Sequence, residues 1–178
     1  MNYEVLWKLA DYQIMVSLLI VIVAWKWGDW KNWKAYYPTM LYFIIGDFTY
    51  SLITNNHPLW EYESPLLKTT LSDLLIAFVF FPSTVLLFLP YFPRKIFWQA
   101  IYVFIWVFIY TIVEYVSYNL GYFSYHNGWN IWWSGLVSFI MFPALYLHYK
   151  NPLWAWLLGL ISCIAVVIIF KVPFSSMK

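Results

Sequence analysis

The chain has 178 residues, of which 63% are hydrophobic, 25% are aromatic and only 10% are charged, and its formal net charge is +2. Soluble domains carry about 25% charged residues, so this composition excludes a soluble globular domain and predicts an integral membrane protein. The small, scattered net charge gives no reason to expect a nucleic-acid partner. A single cysteine, Cys163, excludes an intramolecular disulfide.

Apolar runs long enough to cross a bilayer need roughly 17 to 25 residues each, and the chain offers six of them. We therefore expect an all-α fold, a polytopic transmembrane helix bundle with about six spans and short loops, forming one integral membrane domain over residues 1–178. Turn-forming pairs such as Gly28-Asp29 and Asn151-Pro152 separate the runs. The predicted spans lie near 9–27, 36–54, 71–89, 98–118, 131–149 and 154–171.

The distribution of Lys and Arg predicts the orientation of the bundle. The loops on one side hold six of these residues, whereas the other side, with both termini, holds four. By the positive-inside rule the first side is cytoplasmic, which predicts a multi-pass protein of the cell membrane with both termini extracytoplasmic. The first set is Lys26, Lys31, Lys34, Arg94, Lys95 and Lys150, and the second is Lys8, Lys68, Lys171 and Lys178.

The segment between the first two runs interleaves tryptophan with lysine. Trp25, Trp27, Trp30 and Trp33 occur among three lysines, a pattern typical of an interfacial segment whose rings lie at the depth of the head groups. We expect this segment to anchor the protein to membrane lipid, with binding of a partner protein as the alternative.

Four carboxylates, Asp11, Asp47, Asp73 and Glu114, lie within or at the edge of the predicted spans. An Asp at the centre of a membrane helix costs roughly 2.5 kcal/mol or more, so each is a candidate functional residue. Threading the chain through six spans brings all four towards the outer face. Asp11 and Asp73 begin their spans, where a carboxylate can remain hydrated, so the functional hypothesis depends mainly on Asp47 and Glu114.

Helical spacing places polar side chains beside the two deeper acids. Ser51 and Thr54 share a face with Asp47, and Ser117 shares one with Glu114. Because polar groups facing lipid are costly, these stripes are expected to face each other or a shared cavity. Two segments on the outer side that are rich in polar and aromatic residues supply further candidates. The candidate substrate-binding residues are Tyr50, Tyr110, Trp60, Glu61, His126, Trp129, Trp132 and Trp133.

Three non-catalytic interpretations of the acids are open. They can join helices by bonding to Tyr50, Tyr110, Ser83 or Thr84. They can form a proton or cation relay in a transporter subunit, although conduction would require a homo-oligomer or one-sided access. A metal site would combine His57 and His126 with Glu61 or Glu63, but no metal-ligand spacing occurs. Neither a metal nor another cofactor is expected. His148 is interpreted as a surface residue.

The fourth interpretation is an enzyme that acts on a lipid-soluble small molecule. A carboxyl group buried among aromatic rings can remain protonated near neutral pH and donate its proton. Ring faces stabilise a carbocation, so this combination suits protonation-initiated isoprenoid cyclisation. Asp47 would be the proton donor, Glu114 its partner or the terminating base, and Asp73 a modulator of their proton affinity.

Three runs, at 46–50, 57–61 and 121–129, resemble an uncharacterised family of small multi-pass membrane proteins of spore-forming Bacilli and Clostridia. A weaker likeness links the chain to small integral membrane terpene cyclases and the membrane lycopene cyclases. This second resemblance implies an isoprenoid substrate, with Glu114 at the position of the lycopene cyclase acid. The Pro-x-Glu-Glu pattern of that family is absent, since Ile112 and Val113 precede Glu114 and Tyr115 follows it.

Overall fold

The computed structural model describes residues 12–64, 67 and 69–178 and confirms the all-α helical bundle. Its six principal helices follow the six predicted runs, and Asp11 lies outside the described residues. The helices are α1 (Tyr12–Trp27), α2 (Trp33–Ile53), α3 (Thr69–Leu75, continued by Ile76–Phe80 and Phe81–Phe88), α4 (Ile96–Asn119), α5 (Ile131–Lys150) and α6 (Pro152–Ile169).

Membrane-spanning character is clearest for the last four helices. In the described part of the chain, α3, α4, α5 and α6 are each long and apolar enough to cross a membrane. The first helix and the segment Trp30–Ile53 qualify only as a pair, bent by 89° at the break between them. The described chain therefore has four helices that meet the criterion individually, or five spans if the bent pair is one span, where the sequence predicted about six.

The bundle has two distinct ends. At one end Gln13 of α1 donates to the carbonyl oxygens of Glu63 and Tyr122, at 3.1 and 3.3 Å. At the other end the Asp29 amide donates to the Leu86 carbonyl oxygen at 3.4 Å. We call the first the sheet end, because it carries the short strands described below. The second is called the basic end, because Lys26, Lys31, Lys34, Arg94, Lys95 and Lys150 lie in its loops or at the helix ends next to them.

Helix α3 is the centre of the bundle. Its spanning window is 61% buried, whereas those of α4 and α6 are only 6% buried. Aromatic side chains pack around it: Phe43 of α2 stacks on Phe81 with ring centroids 3.9 Å apart, and Phe88 lies 5.0 Å from Phe142 of α5. The outer faces of α4 and α6 are apolar and exposed, as expected for helices that face lipid.

A wide turn interrupts α3 in the middle of the membrane-length segment. Residues Ile76–Phe80 form a π-helical turn directly before Phe81 and Pro82. Proline has no N–H to donate to the carbonyl one turn earlier, so the helix widens locally instead of keeping its regular bonds. The span predicted near 71–89 is thus one continuous helical segment, Thr70–Phe88, that contains a π-helical turn.

Two short strands cover one end of the helices. Strand β1 (Trp60–Tyr62) pairs antiparallel with β2 (Phe123–Tyr125), with Glu61 opposite Ser124. Gly121 and Gly128 flank β2 with φ of 77° and 85°, which glycine adopts without steric cost. The sequence predicted two polar-aromatic segments on the outer side but did not predict that they pair.

Candidate functional site

A polar cleft of about 180 Å³ lies at the sheet end, between α2, the start of α3 and strand β1. Two of the four predicted carboxylates, Asp47 and Asp73, line it, and Glu61 joins them. Helical spacing had placed Ser51 and Thr54 beside Asp47, and both line the cleft. The lining residues are Asp47, Tyr50, Ser51, Thr54, Asn55, Pro58, Trp60, Glu61, Tyr62, Thr70 and Asp73.

Three acidic side chains, Asp47, Asp73 and Glu61, share the polar cleft. Asp73 is close enough to both Asp47 and Glu61 for their charges to repel one another. Among the residues that the structure describes, no lysine or arginine lines the cleft, and the one ion pair joins Glu61 to His126 at 3.3 Å. The Oδ2 atom of Asp47 is buried and has no hydrogen-bond partner among the described residues. Buried polar atoms normally have partners, so this oxygen marks a place where a donor or cation would be stabilised.

Two stacked rings form the aromatic wall of the cleft. Tyr50 and Trp60 lie face to face, with centroids 3.6 Å apart and planes 5° apart. The Tyr50 hydroxyl donates to the Trp60 carbonyl oxygen at 2.8 Å and accepts from the amides of Leu59 and Trp60 at 3.1 and 2.8 Å. Tyr50 therefore holds strand β1 over the cleft as well as lining it.

A second, apolar cavity of about 80 Å³ contains the other deep acid, Glu114. It lies between α1, α3 and α4, beneath the start of β2. Tyr110, one of the predicted substrate-binding residues, is among the side chains that line it. Its lining residues are Tyr12, Gln13, Val16, Tyr62, Ile76, Phe80, Phe81, Tyr110, Val113, Glu114, Ser117, Tyr122 and Phe123.

Unlike Asp47, Glu114 is bound by neighbouring side chains. The Tyr125 hydroxyl donates to Glu114 Oε1 at 2.6 Å, and Ser134 lies beside the same carboxyl group. Trp129 Nε1 donates to Ser134 Oγ at 2.9 Å. Burial and the bond to Glu114 raise the pKa of Tyr125, so its hydroxyl remains a donor at neutral pH.

Tyr62 separates the two cavities and belongs to the lining of both. Burial raises the pKa of its hydroxyl well above the ordinary value, and the nearby charges of Asp47 and Glu114 add to this effect. The phenol therefore stays neutral between the two acids. The sequence analysis missed Tyr62, although strand periodicity would have placed it on the same face as Trp60.

Four predicted substrate-binding residues line neither of these cavities. His126 contacts Glu61 and lies 2.9 Å from Ser124 Oγ on the sheet. Trp129 and Trp133 pack against Phe170, with centroids 4.8 and 5.2 Å away. Trp132 is 85% exposed in the first turn of α5. The cavities thus hold Asp47, Asp73, Glu114, Tyr50, Tyr110, Trp60 and Glu61 from the predicted set.

The hydroxyl partners considered for helix joining are engaged elsewhere. Tyr110 and Thr84 lie within hydrogen-bond distance at 2.7 Å, and Ser83 donates to the Val79 carbonyl oxygen at 2.7 Å. Among the described residues, no three His, Cys, Asp or Glu side chains converge as a metal-ligand group.

His148 is not the surface residue that its position near Lys150 suggested. It is 5% exposed, and its Nδ1 lies 3.0 Å from Thr39 Oγ1. Its ring stacks on Tyr42 with centroids 4.4 Å apart. His148 is buried because α5 turns this face towards α2, a relationship that helical spacing within one element does not reveal.

No family model, curated protein or solved structure matches the chain. The residues that line the two cavities are therefore the basis for a functional proposal.

Proposed function

We propose that the protein binds a lipid-soluble organic cation, whose charged group occupies the polar cleft at the sheet end. The observation that carries this proposal is the buried Asp47 Oδ2, which has no partner within residues 12–64, 67 and 69–178, in a cleft shared by three acids. Opposite charges attract strongly where water is scarce, and the lining, in the described part of the chain, contains no lysine or arginine. A cationic ligand would relieve the repulsion among Asp47, Asp73 and Glu61.

The composition of the cleft favours an organic ammonium group over a metal ion. The described acids do not converge as metal ligands, whereas Tyr50, Trp60 and Tyr62 supply ring surfaces beside the acids. A cation over an aromatic ring gains about 0.5–2 kcal/mol. Binding pockets for whole drug-sized molecules measure about 300–1,000 Å³. At about 180 Å³ the cleft suits a head group whose apolar remainder stays in the membrane.

Titration of a short-chain alkyltrimethylammonium into protein in a non-ionic detergent tests this proposal. We expect Asp47→Asn and Asp73→Asn each to weaken binding by about tenfold, equivalent to about 1.4 kcal/mol. Asp29→Asn removes the same charge at the opposite end and serves as the control. Equal affinities of the wild type and Asp47→Asn would contradict the proposal.

Protonation of an isoprenoid-like lipid is the second candidate function. It is supported by the position of Glu114 on an apolar cavity next to Tyr110, Phe80 and Phe81, and by the resemblance to small membrane terpene cyclases. Cyclisation needs a protonated Asp47 or Glu114, whereas cation binding needs ionised acids. A substrate longer than the cavity of about 80 Å³ would also have to displace Tyr62.

Expression with a linear prenyl substrate followed by lipid analysis tests the second candidate. We expect a cyclised product that disappears in the double variant Asp47→Asn with Glu114→Gln. An unchanged substrate pool, or cyclisation that survives both substitutions, would contradict it.

Transport through a carboxylate relay receives less support. Within the described helices Asp47, Asp73 and Glu114 all lie towards the sheet end, so these acids do not form a path across the bundle. We also propose that the sheet end is extracytoplasmic and the basic end cytoplasmic, because the loops of the basic end carry most of the Lys and Arg residues.

A further inference from the structure

We infer that the basic end is a binding surface for the head groups of anionic lipids. All six of its cationic side chains are exposed. They come from three separate connections of the chain, so a common surface requires that these connections be held together. The six residues are Lys26, Lys31, Lys34, Arg94, Lys95 and Lys150.

Tyrosine contacts hold the three connections in one surface. The Tyr91 hydroxyl donates to the Trp27 carbonyl oxygen at 2.6 Å, which joins the α3–α4 loop to the end of α1. The Tyr36 hydroxyl donates to Asp29 Oδ2 at 2.8 Å, and its ring lies 5.7 Å from that of Tyr149, beside Lys150. Cations far apart in sequence therefore belong to a single face.

The positive charge of this face is not neutralised within the described residues. Asp29 is the acid that lies among these cations, and hydrogen bonds from Asn32 and Tyr36 lower its pKa, so it stays ionised. The one ion pair in the described chain is at the sheet end. Six cations against one acid leave a strong net positive charge facing outward.

Exposed aromatic rings beside these cations indicate how deep the charged groups lie in the membrane. Trp25 is 79% exposed, and Lys26 Nζ lies 4.5 Å from the ring centroid of Trp27. Lys150 Nζ lies 5.1 Å from the ring centroid of Tyr149. Such rings prefer the boundary between hydrocarbon and water, where lipid phosphates are within reach of the lysines. A lipid head group therefore fits the surface better than a phosphate free in solution.

Native mass spectrometry in a non-ionic detergent tests this inference with two added lipids, phosphatidylglycerol and phosphatidylcholine. We expect the triple variant Lys26→Gln, Lys31→Gln and Lys34→Gln to retain phosphatidylglycerol about tenfold less well, because each cation near an anionic surface adds attraction. Retention of phosphatidylcholine should not change. The matched control, Lys171→Gln with Lys178→Gln, removes exposed cations from the sheet end.

A second variant, Arg94→Gln with Lys95→Gln, changes only the α3–α4 loop and the residue before α4, and tests the same surface if the triple variant does not fold. Adding inorganic phosphate tests whether a free phosphate anion competes with the lipid for this surface. We expect no displacement of the lipid. The inference is overturned if both basic-end variants bind phosphatidylglycerol like the wild type, if the control loses as much, or if inorganic phosphate displaces the lipid. The inference does not depend on cation binding in the polar cleft.

Discussion

At the residue scale, the two deep acids differ in what surrounds them. Asp47 has a buried oxygen that bonds to none of the described residues, whereas Glu114 accepts a 2.6 Å bond from Tyr125. The sequence predicted both acids and the neighbours of Asp47 on its own helix, because spacing along a helix is local. It did not predict Tyr62 between them, because that position depends on how a loop folds over three helices.

Asp47→Asn separates ligand binding from a structural role. Since Asp47 is repelled by Asp73 and its Oδ2 has no partner in the described part of the protein, we expect the free energy of unfolding of the ligand-free protein to rise or to change by less than about 0.5 kcal/mol. Reversible denaturation in mixed micelles measures it. A loss of more than about 1 kcal/mol would instead support the interpretation that Asp47 joins helices.

Tyr125→Phe should have the opposite effect, because it removes the donor to Glu114 and leaves a buried acid short of a partner. We expect a loss of about 1–3 kcal/mol in the free energy of unfolding. Tyr118→Phe is the control, since this exposed ring stacks on Tyr125 with centroids 4.9 Å apart. Equal stability of the two variants would show that the bond to Glu114 contributes little.

At the element scale, the sequence predicted the helices better than their arrangement. Hydropathy identifies apolar segments but does not distinguish burial against protein from exposure to lipid: α6 has the higher mean hydropathy, 2.4 against 2.1 for α3, yet it is far less buried. The strands were missed because β1 and β2 are distant in sequence, and their pairing depends on contacts that periodicity cannot show.

The sheet should depend on the hydroxyl of Tyr50. Tyr50→Phe removes one donor and one acceptor for the backbone of Leu59 and Trp60, so we expect faster amide hydrogen exchange in both strands with little change in the helices. Tyr37→Phe, an exposed tyrosine near the basic end, is the matched control. Unchanged exchange in β1 would contradict this role.

At the scale of the whole molecule, the two ends carry opposite chemistry. The sheet end contains Asp47, Asp73, Glu61 and Glu114, and the basic end contains six exposed cations. The positions of Lys and Arg along the sequence predicted six of these residues on one side of the bundle, and the structure has these six at one end. That the three basic connections form one surface followed only from tyrosine contacts between elements.

The proposed orientation is checked by labelling in intact cells with a membrane-impermeant maleimide. In a Cys163→Ala background, we expect Ser175→Cys at the sheet end to react and Lys95→Cys at the basic end to react only after lysis. Both side chains are exposed, so the difference would report sidedness. The reverse pattern of labelling would invert the proposed orientation.

The central claim is that the polar cleft holds the charged group of a lipid-soluble cation. A density map of the protein with a bound short-chain alkyltrimethylammonium tests it most directly. The account predicts density for the ammonium group among Asp47, Asp73 and Glu61, with Tyr62 still separating the two cavities. Ligand density beside Glu114 with Tyr62 displaced, or no density in the polar cleft at saturating ligand, would contradict it.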